Sequence, residues 1–164
     1  MDVTPGFWNS SLPAPTSTAK QGCSASLTNF AFHCQEGANW CWVAVTQALL
    51  ARRTNKSASQ NWIAQNHAPA PQGGNLPQCT AQNCPGERDA PHSLRNLLLQ
   101  HDLLSPGGFL RGPLDFAMVR WEIDHGRPIP CRIGWATGGA HFVCLAGYAE
   151  DATGANCFVS VLLC

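Results

Sequence analysis

The chain lacks the features that mark membrane proteins, nucleic-acid-binding proteins and proteins exported through a signal peptide. No apolar segment in its 164 residues approaches the length of a membrane-spanning helix. Ten basic residues balance ten acidic ones without forming a basic run, so nucleic acid is not expected as a partner. The N-terminus has no basic region followed by an apolar core, which a signal peptide requires. No internal repeat indicates a solenoid or an array.

Cysteine, in contrast, is abundant. The chain has nine cysteines, an odd number, so at least one stays free or pairs outside the chain. This content is typical of exported proteins, whereas the N-terminus lacks the usual export signal. The compartment therefore stays open, and export by a non-classical route or as an effector is one alternative.

The length fits a single domain with a real core, and a hydrophobic content of 45% argues against disorder throughout. Residues 1–28 are rich in Ser, Thr, Pro and Ala, which predicts a flexible lead-in. Residues 29–164 are predicted to form the folded domain.

Apolar periodicity predicts helices first and strands afterwards. A helix from Trp40 to Arg53 has apolar residues on several faces, so it should be buried on most sides. Ser57 and Gln60 form a capping box for a second helix. This order predicts an α+β fold with an antiparallel meander. Two further helices are predicted over 91–104 and 112–126, and strands over 128–135, 141–148 and 156–163.

Cys41 is the candidate for chemistry. It begins the first helix, where unpaired N–H groups and the helix dipole stabilise a thiolate. A base is needed as well, and of the six histidines only His141 opens a predicted strand. Gln35 lies six residues before Cys41 (41 − 35 = 6) and can donate an amide N–H over the thiol. The alternative for Cys41 is a buried, inert thiol.

These residues resemble the motifs of papain-like cysteine peptidases. "QEGANWCW" is similar to their nucleophile segment, "GGAHFVCLAGY" resembles their histidine strand, and "GRPIPCRIGW" resembles the strand ahead of that histidine. The cysteine and histidine are 100 residues apart (141 − 41 = 100), whereas plant and lysosomal members need about 130–150. The spacing therefore resembles the compact bacterial branch of staphopains and avirulence-type effector proteases. The resemblance spans roughly residues 35–160.

The resemblance implies a papain-like fold, with a central nucleophile helix packed against an antiparallel meander or half-barrel. It implies that Cys41 is the nucleophile and His141 the general base and acid. Gln35 and the backbone N–H of Cys41 would form the oxyanion hole. Trp42 and Trp135 would contact substrate, although a core role for Trp135 is equally open. The implied enzyme is a monomeric peptidase that acts on a peptide or protein through a thioester, without cofactor or metal.

The sequence departs from the family at the residue that orients the histidine. The family has an Asn or Asp on the next strand. Asp151 and Asn156 lie at or near the turn that follows the predicted strand 141–148, roughly 23 Å from His141 along that strand. The position expected for this residue is near Val161, and Ser160 is the nearest polar candidate. The residue that orients His141 is therefore Ser160, or it is absent, or it lies beyond residue 164. Without it, a catalytically weak or inactive relative that binds peptides is the alternative function.

Cys79 and Cys84 are separated by four residues in a loop flanked by His67 and His92. A disulfide and a Cys2His2 zinc site are both open for this loop. The spacing matches no strong zinc pattern, so no metal site is predicted.

Overall fold

The computed structural model of the chain describes residues 2–3, 24–67, 92–104, 108–150 and 156–160. These residues form helices and antiparallel strands, which is consistent with the α+β class. The three longest strands follow the helices, as predicted, and three short strands come before or between them. No helix in these ranges is both long and apolar enough to cross a bilayer. The helices are α1 (Cys41–Thr54), α2 (Gln60–His67), α3 (Leu94–Gln100) and α4 (Phe116–Asp124). The strands are β1 (Asp2–Val3), β2 (Ser24–Ser26), β3 (Leu110–Arg111), β4 (Ile129–Gly134), β5 (Ala140–Glu150) and β6 (Asn156–Ser160).

The strands form one antiparallel sheet in the order β2-β5-β4-β1-β3, and β6 also pairs with β5. The β4–β5 hairpin is its centre. In this hairpin Ile129 lies opposite Leu145, and Ile133 lies opposite His141. The predicted strand after the glycine-rich turn is therefore present, and it starts one residue before His141.

The strand β5 is apolar at nearly every position because both of its faces are covered. Val143 and Leu145 share a buried cluster with Val119 and Ile123 of α4. The alternate residues of the strand lie in a second buried cluster, which contains most of α1. The sheet is thus covered by α4 on one face and by the α1 core on the other. The residues of β5 in this second cluster are Cys144 and Ala146, with Phe142 packed against them.

Helix α1 is the central helix of the fold, as predicted. All residues from Trp42 to Leu49 are buried. Its last turn has Arg52 and Arg53, and Arg52 Nη1 donates to Thr28 O at 2.8 Å. Asn55 then ends the helix in the left-handed conformation, with φ of 52°.

The predicted capping box at α2 is wrong. The helix begins at Gln60, and the hydroxyl of Ser59, not of Ser57, accepts a hydrogen bond from Trp62 N at 3.2 Å. The Gln60 side chain does not take part in capping, because it is buried (1% exposed) and makes hydrogen bonds to residues outside α2. Tertiary contacts have overridden the local pattern.

The sheet also begins before the predicted domain boundary at residue 28. Ser24–Ser26 pairs with β5, and the backbone N–H of Leu27 donates to Ala146 O at 2.7 Å. Asp2 and Val3 pair with β3 and β4. These strands have two or three residues each, which is too short for an apolar alternation to reveal them.

Helices α3 and α4 are shorter than predicted. Asp115 caps α4, since its Oδ1 accepts a hydrogen bond from Ala117 N at 2.9 Å, so the preceding residues are not helical. Gly126, with φ of 75°, follows the end of that helix. Asp102 has φ of 51° and prevents α3 from continuing.

Candidate active site

Cys41 is the first residue of α1, which begins one residue later than the predicted start at Trp40. No side chain caps this end of the helix, and its first turn contains no acidic residue. The first N–H groups of a helix have no acceptor within the helix, so this end attracts negative charge. Cys41 is also the only partly exposed thiol among the free cysteines of the described residues. The other two are buried. Burial raises the pKa of Cys131 to about 12 and also raises that of Cys144.

A tight turn directs the chain into α1. Trp40 N donates to Gly37 O at 3.2 Å, and the indole of Trp40 is 0% exposed. A Cβ atom on Gly37 would lie 2.6 Å from the ring of Trp40, closer than real Cβ contacts allow. Glycine is therefore required at this position so that the buried tryptophan can lie against the turn immediately before Cys41.

The side chain of Gln35 closes the same turn. Its Nε2 donates to Gly37 O at 3.0 Å and to Ala38 O at 2.9 Å. Both amide hydrogens are thus bound to backbone carbonyls in this arrangement. Donation to an oxyanion beside Cys41 requires one of these bonds to open. The oxyanion role of Gln35 stays a prediction.

Gln60 is a site residue that the sequence analysis missed. Its Nε2 donates to Cys34 O at 2.6 Å and to Gln47 Oε1 at 3.1 Å, while its Oε1 accepts from Glu36 N at 2.9 Å. Gln47 in turn donates to Ala58 O at 2.7 Å. This buried network ties the backbone on both sides of Gln35 to α1 and α2. A buried glutamine leaves no trace in apolar periodicity, so only its position in the fold reveals it.

A disulfide holds the same loop, because Cys34 is disulfide-bonded. The loop before Cys41 is therefore fixed both covalently and by hydrogen bonds. Cys79 and Cys84 lie outside the described residues. Within the described ranges, no group of His, Cys, Asp and Glu side chains is arranged to hold a metal ion. His67 instead contacts His101, with their Nε2 atoms 3.0 Å apart.

His141 is the second residue of β5, as the predicted strand requires. It lies opposite Ile133 and is partly exposed. The hairpin turn before it is closed by a hydrogen bond from Trp135 N to Gly139 O at 3.2 Å. Gly138 and Gly139 have φ of 94° and 83°, which only glycine adopts readily. This turn fixes where the histidine enters the sheet.

The two candidate catalytic residues lie on elements that pack together. Residues of α1 share a buried core with Cys144 and Ala146 of β5, and Phe142, which follows His141, packs against that core. Among the described residues, no hydrogen bond joins Cys41 to His141. Catalytic hydrogen bonds are often long in unliganded enzymes and shorten when substrate binds.

The strand register bears on the third catalytic residue. Asn156 lies opposite Glu150, nine residues from His141 (150 − 141 = 9), or about 30 Å along the strand. Ser160 lies opposite Leu145, four residues away (145 − 141 = 4), or about 13 Å. The register thus places neither residue opposite His141. Asp151 and Val161 lie outside the described residues.

The two tryptophans expected at the substrate differ in exposure. Trp42 is 0% exposed in this arrangement, and its contact with substrate stays a prediction. Its position in the first turn of α1 turns the ring into the core, where it lies edge-on to His92 with ring centroids 5.1 Å apart. Trp135 is 51% exposed beside the hairpin turn and is accessible to a ligand.

Comparison of the chain with protein-family models, with curated proteins and with solved structures found no match. Any assignment of function therefore depends on the residues and on their arrangement.

Proposed function

We propose that the chain is a papain-like cysteine peptidase that hydrolyses peptide bonds through a thioester. The observation that carries the proposal is the position of Cys41. It is a partly exposed thiol at the uncapped start of a central helix, and that helix packs against the strand that begins beside His141. The motifs around both residues resemble those of the family, in the family's order.

The proposed reaction has two halves. The Cys41 thiolate attacks the scissile carbonyl carbon, and the negative charge that develops on the oxygen is stabilised by the backbone N–H groups at the start of α1. His141 gives its proton to the leaving amine as the carbon–nitrogen bond breaks, which leaves a thioester on Cys41. His141 then takes a proton from water, whose oxygen attacks the thioester. The acid is released and the thiolate restored.

Hydrolysis of fluorescently labelled casein tests this proposal. Cys41→Ala should lower turnover by about 10³-fold or more, since it removes the nucleophile. Cys131→Ala is the matched control, because this free thiol is buried and should not react. Equal activity of wild type and Cys41→Ala would refute the assignment of the nucleophile. An acyl-enzyme mass adduct on Cys41 would be direct support.

Two observations favour the second candidate, a relative that binds peptides and cleaves them weakly or not at all. Both amide hydrogens of Gln35 bind backbone carbonyls, and neither Asn156 nor Ser160 lies opposite His141. Peptide binding without any turnover, together with an unreactive Cys41, would establish this candidate instead.

A further inference from the structure

A cavity of about 540 Å³ lies between α3, β3 and β4 and is lined by basic and aromatic side chains. This volume is within the range of small-ligand sites. Among the described residues that line it, none is acidic. The side chains on which the inference depends are Arg95, Arg111, Arg132, Phe109, Phe142 and His92.

Three of the eight arginines of the chain meet at this cavity. The guanidinium groups of Arg95, on α3, and Arg111, on β3, lie 5.9 and 5.8 Å from the centroid of the Phe109 ring. The two arginines therefore contact the same aromatic ring. Neither has a carboxylate partner among the described residues. Guanidinium groups held in this way retain their N–H donors for an anionic ligand, such as a carboxylate or a phosphate.

The sheet register explains why two of the arginines are neighbours. Asp2 of β1 lies opposite Arg111 of β3 on one side and opposite Arg132 of β4 on the other. Residues directly opposite one another share a face of the sheet, so the two arginines belong to the same face. With Arg95 included, three arginines from three separate elements line the cavity.

Neither Cys41 nor His141 lines the cavity, but the residue that follows each of them lies at or beside it. Phe142 directly follows His141 and lies opposite Arg132 in the hairpin. On the other side, the ring of His92 lies against Trp42, which directly follows Cys41. We therefore assume that a peptide bound at Cys41 and His141 extends a neighbouring side chain toward this cavity.

We propose that the cavity is the specificity pocket of the peptidase and binds an anionic side chain of the substrate next to the scissile bond. The ligand chemistry is a carboxylate or phosphate group held by Arg95, Arg111 and Arg132. Asp, Glu and phosphorylated residues share this chemistry. The inference rests on the proposed function, because it places the cavity beside a catalytic dyad.

Binding tests the pocket without any need for turnover. The full chain carrying Cys41→Ala is titrated with short, neutral, fluorescently labelled peptides that contain one Glu, one phosphoserine or one Gln. The charged residue is moved through each position. At least one position should give a preference of about tenfold or more for the anionic peptide over Gln, and about 1 M salt should reduce it. Comparison of Glu with phosphoserine identifies which anion the pocket takes.

Charge-removing variants locate the effect. Arg132→Gln and Arg95→Gln should each remove most of the preference, and both side chains are exposed, so the fold should tolerate the change. Arg120→Gln is the matched control, since this arginine lies on α4 over Tyr148 and does not line the cavity. Equal affinity for Glu, phosphoserine and Gln at every position would overturn the pocket proposal. Loss of the preference in Arg120→Gln as well would also overturn it, because the effect would then come from net charge.

Turnover distinguishes failure of the pocket from failure of the proposed function. For an active enzyme, kcat/KM should favour the same anionic peptide by a similar factor. Cleavage without any anion preference refutes the pocket and leaves the peptidase standing. An anion preference in binding, with no cleavage of any peptide, refutes the peptidase and leaves the pocket standing.

Discussion

Replacement of Gln60 should lower the free energy of unfolding and displace the loop that precedes Cys41. Gln60→Ala removes three hydrogen bonds, to Cys34 O, to Gln47 Oε1 and from Glu36 N. A hydrogen bond contributes about 0.5–1.5 kcal/mol net, so the free energy of unfolding should fall by roughly 2–4 kcal/mol. The backbone of Cys34 and Glu36 is near solvent and water can replace part of the loss, which favours the lower half of that range. The loop that leads to Cys41 should also lose its position.

Urea denaturation and casein hydrolysis together measure the two effects. Turnover should fall in Gln60→Ala even well below the unfolding transition, because the loop is displaced while the core remains folded. Asn66→Ala is the control on the same helix, since Asn66 is exposed and, among the described residues, its side chain bonds to Trp62 O within its own helix. It should cost at most about 0.5 kcal/mol. A loss of the same size in both variants, or unchanged turnover in Gln60→Ala, would show that the network does not position the site.

Three further predictions concern the loop, the histidine cluster and the exposed tryptophan. Gln35→Ala should lower kcat by about 10²-fold or more if the side chain donates to the oxyanion, while the alkylation rate of Cys41 should change little; equal losses in both would assign it a structural role only. Burial, and next the charge of His67, lower the pKa of His92 and His101 from 6.5, so the unfolded chain binds more protons than the folded chain at acidic pH. The two histidines therefore contribute to stability above about pH 6.5, and this contribution is lost as the pH falls through their lowered pKa values. The midpoint of urea denaturation should decrease over this pH range, and the decrease should be smaller in His101→Gln. Trp135→Ala should raise KM by several fold with little change in melting temperature, because its ring is half exposed; unchanged kinetics would exclude it from the substrate site.

The sequence was most informative about the helices and strands, which apolar periodicity and glycine positions indicate. The helix from Cys41, the strand that carries His141 and the α+β order all follow from apolar periodicity and glycine punctuation, and the structure has them in place. The continuous apolar run of β5 also has a simple cause, since both faces of the strand are buried.

The sequence was least informative where tertiary contacts decide the role of a polar residue. Gln60 looked like a capping residue, but it is a buried tie between loop and helices. Trp42 is expected to contact substrate, and the helix turns its ring into the core. The basic cavity was not visible, because Arg95, Arg111 and Arg132 come from three separate elements and meet only in the folded chain. The hydrogen bonds of the Gln35 amide likewise depend on the shape of its own turn.

Site-resolved alkylation of the thiols tests the central claim most directly. Native protein is treated briefly with iodoacetamide at about pH 5.5, where ordinary thiols are protonated, and each cysteine is quantified by mass spectrometry. We expect Cys41 to react faster than the thiol of a short unstructured peptide, while Cys131 and Cys144 stay unmodified because they are buried. His141→Ala should abolish the advantage of Cys41. Reaction of Cys41 no faster than the peptide thiol, or an unchanged rate in His141→Ala, would contradict the assignment of these two residues as a catalytic pair.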